Sequence, residues 1–172
     1  MKFQNKYHYY KNKINDVIVK SPIEFGIEIL VYNIIDSIIE SEEISVVDIS
    51  SILKNRDNRL TTKGGVPDIA ILSKDFIYRG NKGTVYGFVE IKAPSKNLKE
   101  TTQIKRQKQS TNHFIYTNGL VWRYYKKGES HKEIKLTSKE NLNHTTKREP
   151  VDINEHKFNE LINLLQEIDW IH

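Results

Sequence analysis

Asp68, Glu90 and Lys92 are the residues whose types and spacing could do chemistry in this 172-residue chain. Pro67-Asp68 opens one predicted strand, and Glu90-Ile91-Lys92 ends another 22 residues further on, room for two adjacent strands and their connection. Side chains alternate across a strand, so Glu90 and Lys92 share one face while Val89 and Ile91 point to the other. If the strands pair as a hairpin, Asp68 and Glu90 converge near one sheet edge. Two carboxylates about 4 Å apart repel by about 4 kcal/mol at an effective dielectric near 20. A divalent cation removes that repulsion, and hard oxygen ligands suit Mg²⁺ or Mn²⁺. Such an ion polarises a phosphodiester oxygen and lowers the pKa of bound water. Lys92 could orient or deprotonate that water, or neutralise charge developing at phosphorus. Glu-x-Lys is common in any basic protein and Pro-Asp is ordinary at turns, so context decides. The segment before Glu90, Val85-Tyr86-Gly87-Phe88-Val89, is apolar on both faces, as a central strand is. Two charges at the end of such a strand are poorly explained as a solvated face.

The elements that must position these residues form an α/β pattern. Ser21-Pro22 predicts a helix start, with Ser as N-cap and Pro at the first helical position. Ile23, Ile27, Leu30, Ile34, Ile35 and Ile38 then recur at the spacing of one buried helix face. Strands are predicted over 44–53, 66–72 and 84–93, with a polar loop over 57–65 and Gly64-Gly65 as the turn into the second strand. A helix over 98–110 follows Pro94. Strands 113–117 and 120–126 flank Asn118-Gly119, a strong hairpin-turn dipeptide. A further strand over 132–137 and a helix over 154–169, with Phe158, Leu161, Leu165 and Ile168 on one face, complete the pattern. One domain over 1–172 is expected, its core about 21–137 and its C-terminal helix about 154–169.

Composition excludes several classes. With no cysteine there is no disulfide framework, thiol nucleophile or thiolate metal site, which fits a reducing, cytoplasmic setting. The six His have no metal-ligand spacing. The first twenty residues lack the apolar run of a secretory signal. Glu24, Glu28, Asn33 and Asp36 interrupt the most apolar segment, so no membrane span is expected. Net charge is only +5, but residues 92–148 hold fourteen Lys/Arg against four Glu, a balance of +10. The strongest basic block thus begins at Lys92, where a phosphate backbone would have to lie.

In this order, Gly65-Val66-Pro67-Asp68 and Phe88-Val89-Glu90-Ile91-Lys92-Ala93-Pro94 resemble the PD-(D/E)xK nuclease superfamily. The closer resemblance is to N-terminal nuclease domains of type I, type ISP and type IIG restriction enzymes. In those, the motif strand precedes a helix bearing a Gln and then a Thr-Asn-Gly hairpin; here the counterparts are Gln103 and Thr117-Asn118-Gly119. The likeness covers about residues 21–127. It implies a restriction-endonuclease-like core: a central mixed β-sheet flanked by helices. It also implies a Mg²⁺- or Mn²⁺-dependent endonuclease acting on DNA, duplex above all, in restriction or anti-phage defence, as a homodimer or within a larger complex. Asp68, Glu90 and the Ile91 carbonyl are then metal ligands and Lys92 the catalytic lysine. A glutamate on the first core helix is also implied; Glu24 and Glu28 both qualify, and Glu24 is favoured by its place near the helix start. Gln103 matches the glutamine of a Gln-x-x-x-Tyr motif, with Gln107 where the Tyr is expected. Lys96, Lys99, Lys105, Arg106 and Lys108 on the following helix, and Arg123, Lys126 and Lys127 in the hairpin, are candidates for phosphate contacts. Trp122 and Tyr124 alternate on one strand face and are assigned to core packing. The competing reading is a catalytically silent nucleic-acid-binding or protein-interaction module on the same fold, acting with a partner.

Overall fold

Six strands form one sheet among the described residues of the computed structural model, which describes 3–21, 23–39, 41–138 and 149–172; β-branched or aromatic residues line five of them, while the sixth is polar apart from Ile134. They are β1 (Ile44–Asp48), β2 (Ile69–Ser73), β3 (Val85–Ile91), β4 (His113–Thr117), β5 (Val121–Lys126) and β6 (Glu129–Lys135), and they lie in the sheet in chain order. Every neighbouring pair is antiparallel except β3 with β4. A parallel pair needs a crossover, and α3 (Thr102–Lys108) supplies it. The sheet is therefore mixed and flanked by helices, the α/β architecture the sequence predicts and one compatible with a restriction-endonuclease-like core.

The two faces of the sheet are covered differently. α1 (Phe3–Lys20), α2 (Glu24–Ile38) and α4 (Glu155–Glu167) share one apolar cluster with Ile69, Ile71, Val89, Ile91, Ile115 and Trp122. The opposite face carries Ala70, Leu72, Phe88, Phe114 and Tyr125, covered by Ile104 of α3 and by Ile49 and Leu60 of the β1–β2 connection. Trp122 and Tyr124 are buried on the three-helix face, as their alternation predicts. No helix among the described residues is long and apolar enough to cross a membrane.

Several boundaries differ from expectation, each for a local reason. α1 was not anticipated; Tyr7, Tyr10, Ile14 and Ile18 form its buried stripe, and Tyr10 Oη donates to the Gly119 carbonyl at 2.5 Å. α2 begins at Glu24 with Ile23 in the cap position and no side-chain cap, so Ser21 is not the N-cap; Pro22 lies outside the described residues. β1 stops at Asp48, whose Oδ1 accepts from Ser50 N at 2.9 Å and turns the chain. α3 is shorter than the predicted 98–110, because Thr101 Oγ1 accepts from Ile104 N and sets its start. Lys96 and Lys99 consequently lie in the β3–α3 connection rather than on the helix. β6 begins earlier than expected, at Glu129. α4 starts where Asn154 Oδ1 caps Lys157 N at 2.9 Å. The end of the basic block, 139–148, lies outside the described residues.

Candidate functional site

Asp68 sits immediately before β2, its backbone N–H donating to the Val89 carbonyl at 3.1 Å and its own carbonyl accepting from Ile49. This ladder places Asp68 beside the end of β3, where Glu90 emerges. Strand alternation sends Glu90 to the α3 face while Val89 and Ile91 enter the three-helix core. The sequence motif is thus a spatial motif: Asp68, Glu90 and Lys92 meet at one end of adjacent strands.

Glu90 is only 3% exposed, and a buried carboxylate must be paired or hydrogen-bonded. It is both. Lys92 Nζ lies 2.6 Å from its Oε1, and Gln103 Nε2 donates to the same oxygen at 3.1 Å. Gln107 Nε2 donates to Oε2 at 2.8 Å. Residues four apart share a helix face, so Gln103 and Gln107 grip the carboxylate from consecutive turns of α3. Gln107 is fully buried and no donor among the described residues reaches its Oε1. The reversed amide would aim that oxygen at Glu90, so the carboxylate decides the orientation. The sequence placed Gln107 only as the residue standing where the motif has Tyr, and its grip on Glu90 was not expected. The available signal was its four-residue spacing from Gln103.

α3 can stand this close because of Gly64. A Cβ there would press into the Gln103 carbonyl oxygen and come within 2.8 Å of Gln107 Cγ. The turn into β2 therefore packs backbone against helix, which explains the glycine more tightly than turn geometry alone.

Electrostatics mark the same spot. Burial first, and the neighbouring Glu90 charge second, push the Asp68 carboxyl up to about 8, although its Oδ2 accepts from Ile91 N at 2.6 Å. Burial lowers the Lys92 ammonium, but the charge of Glu90 and its hydrogen bond outweigh it, and the net shift is upward. Lys92 is accordingly a cation at neutral pH. Glu28 is raised by burial and by Glu24 and Asp48. Glu24 Oε2 accepts from Ala93 N at 3.2 Å, so α2 touches the chain just past Lys92. Of the two α2 glutamates, Glu28 is the one whose charge raises Asp68 and is itself raised in part by Glu90. Among the described residues no group of three or more His, Asp or Glu side chains is placed to hold a metal ion.

The basic residues separate into groups. Lys96, Lys99, Lys105 and Arg106 are exposed; Lys105, two residues from both Gln103 and Gln107, lies on the opposite side of α3 from Glu90. Lys108 pairs with Glu100 at 2.9 Å and lies over the Tyr125 ring. Arg123 donates from Nε to Glu133 at 2.5 Å and from Nη1 to the Leu98 carbonyl at 2.6 Å. Lys126 ends β5 and Lys127 follows it, at the far end of the sheet from Glu90, because Lys126 lies opposite His113 and His113 opposite Gly87 in the ladder.

The fold has a solved counterpart. It is similar to a chain of the cryo-EM structure of the DrdV–DNA complex, with a TM-score of 0.59 and 11% sequence identity, over 95% of this chain and 97% of that one. At that identity the likeness is one of fold. No protein-family model and no curated protein shows significant similarity to the sequence.

Two facing carboxylates and a lysine cation, held by glutamines at a sheet end, fit a divalent ion by donor chemistry. Asp68 and Glu90 offer hard oxygens, and their mutual repulsion is what a cation would relieve. Mg²⁺ needs only one or two protein carboxylates, with water and phosphate oxygens completing its shell.

Proposed function

We propose that this chain is a Mg²⁺- or Mn²⁺-dependent DNA endonuclease of the PD-(D/E)xK type, serving restriction or anti-phage defence. The observation that carries the reading is the convergence of Asp68, Glu90 and Lys92 on one face at one sheet end, with Glu90 buried and held by three donors. DNA as substrate is supported by the exposed Lys96 and Lys99 in the segment that leaves β3, by exposed Arg106 on α3, and by a structural neighbour that is a DNA complex. When bound, the metal ion would supply Lewis-acid polarisation of the scissile phosphate and activation of water.

The protein's own groups do the rest. Asp68 and Glu90 would hold the ion, with Glu90 fixed by Gln103 and Gln107. Lys92, kept protonated by Glu90, is suited to neutralise charge developing on the phosphoryl oxygens and not to abstract a proton from water. Glu24, anchored on Ala93 N, steadies the segment leaving β3. The test is cleavage of plasmid DNA by the purified chain with Mg²⁺, Mn²⁺ or EDTA, alongside Lys92→Ala. Metal-dependent cleavage lost in Lys92→Ala supports the reading.

One observation favours the second reading, a non-cleaving binding module: both Glu90 oxygens are already engaged by Lys92, Gln103 and Gln107. DNA binding without cleavage, indifferent to Lys92→Ala, would establish that module instead.

A further inference from the structure

Glu90 belongs to a row of cross-strand partners that continues beyond the carboxylate pair. Glu90 is paired with Tyr116, Tyr116 with Arg123, and Arg123 with Glu133. At about 4.8 Å per strand, Arg123 lies about 10 Å from Glu90 along the same sheet face. There the structure has a cavity of about 570 Å³, a volume ordinary for a ligand pocket. Its apolar wall is Pro94, Leu98, Leu120 and Val121. Its charged side carries Arg123 and Lys135, with Asn97 and Ser138 at hand for hydrogen bonding.

The two halves of the cavity are built differently. Arg123 is fixed before any ligand arrives, since its Nε is committed to Glu133 and its Nη1 to the Leu98 carbonyl. Lys135 is 61% exposed and its ammonium is 3.9 Å from Glu133, too long for a tight pair. One oriented guanidinium and one loosely held ammonium beside an apolar wall match a ligand with an anionic end and a flat apolar body. A nucleotide has that chemistry: phosphate to the cations, base or sugar to the wall. The Asn118 amide closes the floor by donating to the Lys96 carbonyl at 2.8 Å, which ties the cavity to the segment leaving the catalytic strand.

We propose that this cavity is a nucleotide subsite that seats one residue of the bound DNA strand, about 10 Å from the carboxylate pair. At about 3.4 Å of rise per nucleotide, that is roughly three nucleotides from the scissile phosphate. The subsite rests on the DNA-cleaving reading, but its test does not require cleavage.

The experiment uses the full chain in EDTA with a fluorescein-labelled duplex, followed by anisotropy over a range of salt, and with a duplex carrying 5-iododeoxyuridine for photo-crosslinking. Lys135→Ala removes the loosely held cation, and Ser138→Trp fills the cavity while keeping both charges. The expected results are weaker binding by both variants and a salt slope about one unit shallower for Lys135→Ala. A crosslink to the 94–98 or 120–123 segments, lost in Ser138→Trp, is also expected. Unchanged affinity and slope in both variants, with crosslinks elsewhere, would overturn the subsite while leaving the nuclease reading in place. No DNA binding by the parent chain in EDTA would overturn the subsite, and the absence of cleavage with Mg²⁺ or Mn²⁺ as well would overturn both.

Discussion

The two faces of the central sheet do different work, and the end of β3 shows it residue by residue. Val89 and Ile91 point into the cluster built by α1, α2 and α4, where apolar contacts are continuous. Glu90, between them, points to the face covered by α3 and a loop, where a charge, two amides and a lysine replace apolar contact. Strand alternation therefore lets one short segment anchor the core and present the chemistry at once. On the α3 side Glu90 itself is buried, while the Lys92 side chain beside it remains 28% exposed at the sheet end.

That contrast breaks most sharply between one residue of each face. Glu90→Gln should lower metal-dependent cleavage by about 10³-fold or more while leaving the fold intact, which activity and thermal melting measure together. Ile71→Ala, in the three-helix cluster, should do the reverse: it empties part of the core and costs about 2–5 kcal/mol in denaturant unfolding, with cleavage per folded molecule preserved. If Ile71→Ala abolished cleavage at full stability, the division between the faces would be wrong.

Gln107→Leu tests the α3 side more finely. The amide touches no substrate and acts through Glu90, so its loss should raise the Mg²⁺ concentration for half-maximal activity by about 10–100-fold. A structural role alone would lower the melting temperature and leave that concentration unmoved.

Acid–base behaviour should also separate the faces. The folded-state pKa of Asp68 lies above its ordinary value of 3.8, near 8. Its protonated form thus contributes stability that is complete below the ordinary value and lost as the pH rises through the folded one. Metal binding replaces that proton, so Mg²⁺ should raise the melting temperature more at alkaline pH than at acidic pH. Equal stabilisation at both would place the ion elsewhere. On the apolar side the smallest effect is expected at a cap: Asn154→Ala should cost about 1 kcal/mol of stability and nothing in cleavage.

How much of this was legible in the sequence follows the same division. The core strand β3, the Asn118-Gly119 turn and the buried stripe of α4 were readable because period and turn chemistry are local. Asp68, Glu90 and Lys92 were readable because charges at the end of an apolar strand have few structural explanations. α1 was overlooked although Tyr7, Tyr10, Ile14 and Ile18 recur at helical spacing, since the lysines and asparagines between them dilute its hydropathy. The ends of β1 and α3 depend on side-chain caps at Asp48 and Thr101, which decide only once the backbone is in place. The role of Gln107 was hidden for a deeper reason: a buried glutamine is explained by its partner, and Glu90 is seventeen residues away.

The central claim, that Asp68 and Glu90 are held together for a cation and not for stability, is tested most directly by Asp68→Asn. Asparagine keeps an acceptor for Ile91 N–H and removes the charge that repels Glu90. Metal-dependent cleavage should be lost while the melting temperature in EDTA at alkaline pH stays level or rises. Cleavage at the parent rate with Mg²⁺ would contradict the account.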